Sequence, residues 1–153
     1  MIVKSLEQLT SLSKKVAENL SENDLIYLVG EIGVGKTTFT RSLINYLQSK
    51  LGLKITEVPS PTFNLLYEYN FKKFKIMHYD LYRIKDEKEL INLGLFSDDQ
   101  NSIKIIEWPN LIKTSFSDKL EIHINYGNKD KEYEREIKLI GTGKWKNFKW
   151  ILN

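Results

Sequence analysis

The 153-residue chain contains no cysteine, which excludes disulfides, thiolate metal sites and a cysteine nucleophile and leaves its stability to packing. It has only three prolines and eight glycines, with no repeat or low-complexity tract to mark an interdomain linker. One domain over residues 1–153 is expected, since this length supports one core but not two ordinary ones. There are two histidines, His78 and His123, far apart and without a His, Asp or Glu partner at zinc spacing, so neither is assigned to a metal. Charge of one sign is also scarce. The 23 basic and 20 acidic residues leave a net +3 spread through the sequence, which permits a nucleic-acid partner without requiring one. Apolar runs are only strand length, well short of a bilayer span. The first eight residues, Met1 to Gln8, lack the charged start, apolar centre and small-residue cleavage site of a secretory signal. A cytoplasmic protein is expected, with neither membrane nor DNA as a partner.

What is present is periodicity of two kinds. Leu6, Leu9, Leu12, Val16 and Leu20 recur at helical spacing and predict a helix from about Ser5 to Asn19, with Ser5 as N-cap. Leu25 to Val29 is an apolar run suited to a strand buried on both faces of a parallel sheet. Phe39, Leu43, Leu47 and Leu51 fall four apart on a helix from Lys36 to about Lys50, which Gly52 stops. Leu65 to Phe71 and Phe74 to Ile84 predict an antiparallel pair turning at Lys72-Lys73, as an insertion in the sheet. Asp86 caps a short helix through Leu93, ended by Gly94, and Ile103 to Ile106 predicts another buried strand that Pro109 keeps from continuing. Two late strands, about Leu120 to Tyr126 and Glu134 to Ile140, flank a turn at Gly127-Asn128. The class is α/β: a mostly parallel central sheet flanked by helices, with an antiparallel hairpin insertion and antiparallel C-terminal strands.

Between the strand ending at Val29 and the helix beginning at Lys36 stands Gly30-Glu31-Ile32-Gly33-Val34-Gly35-Lys36-Thr37. This is the spacing of a phosphate-binding P-loop in the context such a loop needs. Glycines let backbone N–H groups turn inward, and a helix N-terminus favours an anion. In that role Lys36 reaches the β- and γ-phosphates, the Thr37 hydroxyl binds Mg²⁺, and Thr38 donates to a neighbouring phosphate. The competing reading is an ordinary glycine-rich turn with a solvated lysine.

Hydrolysis needs more than a phosphate cradle: an acidic second anchor for the metal and a group to orient the attacking water. Asp80, after Ile76-Met77-His78-Tyr79, and Glu107, after Ile103-Lys104-Ile105-Ile106, both end strand-like runs, where open α/β sheets place their ligands. Either is equally readable as a carboxylate in water or paired to Arg83 or Lys104. Thr62 in Ser60-Pro61-Thr62-Phe63 is readable as a γ-phosphate sensor or as part of a proline turn, and the turn is the stronger reading from the residues alone. Trp108 is suited to stacking on a base or to packing, and packing is the commoner fate. Lys144 to Trp150 interleaves basic and aromatic side chains, a composition that single-stranded nucleic acid uses, yet burial of Phe148 and Trp150 on an amphipathic strand is favoured.

Taken together, Gly30 to Thr38, Ser60-Pro61-Thr62-Phe63, His78-Tyr79-Asp80-Leu81-Tyr82-Arg83 and Glu107-Trp108-Pro109 resemble, in order and spacing, the successive motifs of the bacterial TsaE (YjeE) family. The resemblance runs from the first helix to about Tyr126, includes Leu93-Gly94-Leu95, and weakens over the last quarter. Ile32 and Val34 depart from the residues common inside the loop, at positions the motif leaves free. The resemblance implies a P-loop NTPase-like fold and a Mg²⁺-dependent ATPase. It would act with the TsaB and TsaD proteins in the threonylcarbamoyl modification of adenosine 37 in tRNAs reading ANN codons, touching tRNA indirectly or weakly. It implies ATP bound by Gly30, Glu31, Gly33, Val34, Gly35, Lys36, Thr37 and Thr38 with Trp108 nearby. It also implies Mg²⁺ held by Thr37 and Glu107, and hydrolysis served by Asp80, Lys36 and Thr62. Two other classes stand beside this reading. A small-molecule kinase is disfavoured because Arg41, Arg83 and Arg135 are the only arginines available for a lid. A nucleotide-gated binding module is separated poorly from a slow ATPase.

Overall fold

Residues 1–97, 101–128 and 131–147 are described by a computed structural model. Its strands are β1 (Ile2–Val3), β2 (Leu25–Val29), β3 (Leu66–Asn70), β4 (Lys75–Asp80), β5 (Ser102–Glu107), β6 (Lys119–Tyr126) and β7 (Arg135–Thr142). Its α-helices are α1 (Leu6–Glu18), α2 (Lys36–Lys50) and α3 (Glu87–Asn92), with short 3-10 helices at Pro109–Leu111 and Gly143–Asn147.

Helix boundaries follow from capping chemistry. Ser5 sits in extended backbone and its side chain accepts from the Gln8 N–H, and Asp86 does the same for Lys88 at the start of α3. The apolar stripe of α2, carried by Phe39, Leu43, Ile44 and Leu47, is buried against the sheet. Each such side chain contributes about 1.5–3 kcal/mol on burial.

All seven strands form one sheet in the order β1-β7-β6-β2-β5-β4-β3. The central four, β6, β2, β5 and β4, pair in parallel, while β1–β7, β7–β6 and β3–β4 are antiparallel. The expected parallel character therefore holds for the middle of the sheet and gives way to antiparallel pairing at both margins. The hairpin β3–β4 is a refinement of the expected insertion. β4 is paired on both sides and belongs to the parallel core, and only β3 lies at the edge. Its strands are also shorter than expected. Leu65 takes a left-handed φ of 65°, and β4 stops at Asp80 because its carboxylate accepts from the Tyr82 N–H, turning the chain before Ile84.

Strand alternation divides the core between two faces. Ile26, Leu28, Ile76, Ile103 and Ile105 pack with Val16, Phe39 and Leu43 from α1 and α2. Leu25, Tyr27, Met77, Tyr79 and Ile106 pack with Leu90 beneath α3. By the same alternation His78, Asp80 and Glu107 point to the α2 face, at the carboxyl ends of adjacent parallel strands. Trp145, in the 3-10 helix after β7, is buried in the α1/α2 core, and Lys144 reaches the buried Asp24 at 2.6 Å. These two tail residues serve packing, while the expected burial of Phe148 and Trp150 lies outside the described residues.

Candidate functional site

The loop between β2 and α2 is shaped by where a side chain cannot go. A Cβ at Gly30 would lie 2.1 Å from the Ile124 carbonyl oxygen on neighbouring β6, so only glycine lets the two backbones approach. Gly35 starts α2 with φ at 116°, a left-handed backbone, and no side chain caps the helix. The first turn thus presents backbone N–H groups and the Thr37 and Thr38 hydroxyls to the cavity beside it.

That cavity, about 200 Å³, is lined by Ile32, Gly33, Gly35, Lys36, Thr37 and Thr38 from the loop and helix, Ser60 and Thr62 from the segment before β3, Asp80 and Tyr82 at the end of β4, and Glu107 and Trp108 at the end of β5. Parallel pairing places Asp80 opposite Glu107 in register, so the two carboxylates share one sheet edge. Both are nearly fully buried, at 3% and 2% exposure. Neither is a carboxylate in open water, and the lysine and arginine considered as partners from sequence are engaged elsewhere. Lys104 donates to the Leu95 and Ser97 carbonyls, and Arg83 stacks over Phe63.

Glu107 accepts from the Thr37 hydroxyl, 2.9 Å from Oε1 and 3.2 Å from Oε2. Asp80 accepts from Thr62 at 3.0 Å through Oδ2 and from the Tyr82 N–H through Oδ1, with Ser60 2.8 Å from Thr62. The Ser60–Thr62 segment is held upstream by Arg41, which donates to the Val58 carbonyl, and by paired hydrogen bonds between Gln48 and Thr56. An exposed loop acquires a defined position by these ties to α2.

Lys36 is 5% exposed; its ammonium donates to the carbonyls of Gly30 and Glu31 and lies 4.0 Å from the centre of the Trp108 ring. Burial pushes its pKa below the ordinary lysine value, against the opposing pull of Glu107 and Asp80. Trp108 adopts a left-handed φ of 59°, unusual for a bulky residue, and its ring meets Tyr82 at 4.8 Å. Its partly buried ring thus lines the cavity wall against Lys36 and Tyr82 while also packing on the core beneath α3.

Of the residues singled out from sequence, Gly33, Gly35, Lys36, Thr37, Thr38, Thr62, Asp80, Glu107 and Trp108 meet at this cavity. Gly30, Glu31 and Val34 do not line it. The first two hold Lys36 through their carbonyls, and Val34 is buried under the loop. Sequence reasoning missed Tyr82, although it stands two residues after Asp80. It also missed two supports of the loop from the far end of the chain. Tyr126 donates to the Ile32 carbonyl, and Arg135 to that of Val34, from opposed positions on β6 and β7. Nothing local in the sequence signals contacts across 94 and 101 residues. The oxygen donors of the half-buried Thr37 and the buried Glu107, side by side next to a phosphate-type loop, fit a hard divalent cation such as Mg²⁺.

Comparison with known proteins shows the family and the fold. The family model of the threonylcarbamoyl adenosine biosynthesis protein TsaE matches residues 3–137. A tRNA threonylcarbamoyladenosine biosynthesis protein TsaE of Rickettsia conorii is 40% identical over 109 residues, 71% of this chain and 60% of that protein's length. The Bacillus subtilis protein of the same name is 34% identical over 139 residues, covering 90% of this chain and 82% of the relative. Among solved structures, the crystal structure of Bacillus subtilis YdiB superposes with a TM-score of 0.69 at 25% identity, over 99% of this chain and 89% of YdiB.

Proposed function

This chain belongs to the TsaE family, and from that membership we propose that it is a single-domain, cytoplasmic, Mg²⁺-dependent ATPase required for threonylcarbamoyl modification of adenosine 37 in tRNAs reading ANN codons. In this reading it is an accessory subunit to TsaB and TsaD. It meets tRNA indirectly and does not itself transfer the threonylcarbamoyl group. The observation that carries the proposal is the convergence of Lys36, Thr37, Thr62, Asp80 and Glu107, drawn from four separate segments, on one cavity at the mouth of the P-loop.

The roles follow from the side chains. Gly33, Gly35 and the first turn of α2 bind phosphate through backbone N–H groups, with Thr38 adding a hydroxyl. Lys36 exchanges the Gly30 and Glu31 carbonyls for phosphate oxygens, and Trp108, already against its ammonium, lies beside the nucleotide. Thr37 and Glu107 would hold Mg²⁺, which when bound would neutralise negative charge on the nucleotide's phosphates. Hydrolysis joins a water oxygen to the γ-phosphorus and breaks the bond to the β-phosphate oxygen. Asp80 orients that water and takes its proton, and Thr62, tied to Asp80 before nucleotide arrives, follows the γ-phosphate as a switch. Movement of the Ser60–Thr62 segment with the γ-phosphate then resets the partner complex.

The test is to replace the chain in its own cell by Lys36→Ala and measure threonylcarbamoyladenosine in bulk tRNA by mass spectrometry. Loss of the modified nucleoside is expected, and unchanged levels with a well-folded variant would contradict the proposal.

A further inference from the structure

One buried ionisable side chain beside the cavity has no part in the chemistry above. His78, fully buried on β4, places Nε2 2.9 Å from Glu107 Oε1, while its Nδ1 has no hydrogen-bond partner among the described residues. With Glu107 already accepting from the Thr37 hydroxyl, the tautomer with hydrogen on Nε2 lets His78 donate to Oε1 and satisfies both atoms. A buried imidazole with an unsatisfied nitrogen is a costly way to fill space that leucine or methionine would fill without that cost. The bond to Glu107 accounts for its presence.

Glu107 has two competing attractions. Thr37 faces it at 2.9 Å, and the Lys36 ammonium is close enough to feel the charge of both Glu107 and Asp80. A carboxylate fixed by Thr37 alone is free to turn towards that ammonium. With His78 bound to Oε1 from behind, the carboxylate is fixed at a second point, and Oε2 is the less engaged oxygen, its one hydrogen bond among the described residues being from Thr37 at 3.2 Å. We infer that His78 is a positioning residue: it orients Glu107 so that Oε2 and the Thr37 hydroxyl form a ready pair of oxygen donors for the divalent cation. The strand register makes this possible, since His78 and Glu107 lie on the same sheet face of adjacent strands, with His78 opposite Ile105. Partners of this kind, behind a metal ligand, set its orientation and basicity.

This inference rests on the Mg²⁺-dependent nucleotide binding proposed above. The experiment titrates Mg²⁺ against binding of a fluorescent ATP analogue to the full chain, with thermal stability recorded in EDTA. His78→Leu removes the donor, His78→Gln returns an amide N–H near the position of Nε2, and His78→Asn carries one too short to reach Glu107. The Mg²⁺ concentration for half-maximal binding should rise about 10-fold or more in the Leu and Asn variants. The Gln variant should recover most of that loss, and affinity in EDTA should be unchanged in all three. If Leu does not fold, the contrast between Gln and Asn decides. Equal shifts in Gln and Asn, or a wild-type midpoint in Leu or Asn, would overturn the positioning role alone. Wild-type protein whose nucleotide binding ignores Mg²⁺ would overturn the proposed function and this inference with it.

Discussion

The Thr37 hydroxyl and the Glu107 carboxylate meet at 2.9 Å across 70 residues of sequence, joining the first turn of α2 to the end of β5. In the proposed site both are oxygen donors to one cation. Thr37→Val, which keeps the volume and removes the hydroxyl, should weaken Mg²⁺-supported nucleotide binding by about 10- to 100-fold, the equivalent of one hydrogen bond to a charged group. Thr37→Ser should retain it. Calorimetric titration at fixed Mg²⁺ checks both.

Asp80 is tied to Thr62 through one carboxylate oxygen and to the Tyr82 backbone through the other. Asp80→Asn keeps the acceptor for Tyr82 and so the turn that ends β4, but abolishes the negative charge. Nucleotide affinity should stay within about threefold of wild type, while turnover falls on the order of 100-fold or more. Phosphate release and equilibrium binding, measured on one preparation, separate the two. Unchanged turnover with intact binding would favour a nucleotide-gated binding module.

Lys36 gives a prediction of opposite sign for stability and function. Its folded pKa lies below the unfolded value because burial disfavours the charged ammonium. Between those two pKa values the unfolded chain binds more protons, so this group destabilises the fold below its folded pKa. The destabilisation is relieved as pH rises towards the ordinary lysine range. Lys36→Met should therefore abolish nucleotide binding yet melt slightly higher than wild type near pH 7, with the difference shrinking as pH rises towards the ordinary lysine range. Melting curves of nucleotide-free protein at several pH values check it.

Gly30 tests the backbone rather than a functional group. The Cβ of Gly30→Ala would stand 2.1 Å from the Ile124 carbonyl oxygen, at a φ of 153° that other residues rarely adopt. A loss of about 3 kcal/mol is expected from overpacking and strain, lowering the melting temperature by roughly 6–12 °C. Ala at Gly52, where nothing lies within 4 Å of an added Cβ, should cost less.

How far the sequence carries the structure depends on the range of the contacts involved. The P-loop, the Ser5 and Asp86 caps and the buried runs of β2 and β5 are local in origin, and each was readable from a few adjacent residues. That Asp80 and Glu107 end strands was readable too. That they share an edge depends on β4 and β5 pairing in parallel with Asp80 opposite Glu107, a tertiary fact. The same pairing turns His78, set aside as a metal ligand, into a partner of Glu107. Thr62, for which a proline turn was the stronger local reading, is brought to Asp80 by the ties of Arg41 and Gln48 to the preceding loop. The Tyr126 and Arg135 supports of the P-loop had no local signature, because their partners are backbone carbonyls that any residue carries.

The most direct test of the central claim is the rate of ATP hydrolysis by the purified full chain, with Mg²⁺, measured alone and with TsaB, TsaD and tRNA, beside Lys36→Ala and Glu107→Gln. Slow turnover alone, clear acceleration when the partners are present, and loss of both in the two variants are expected. Hydrolysis indifferent to the partners, or surviving in Lys36→Ala, would contradict the central claim.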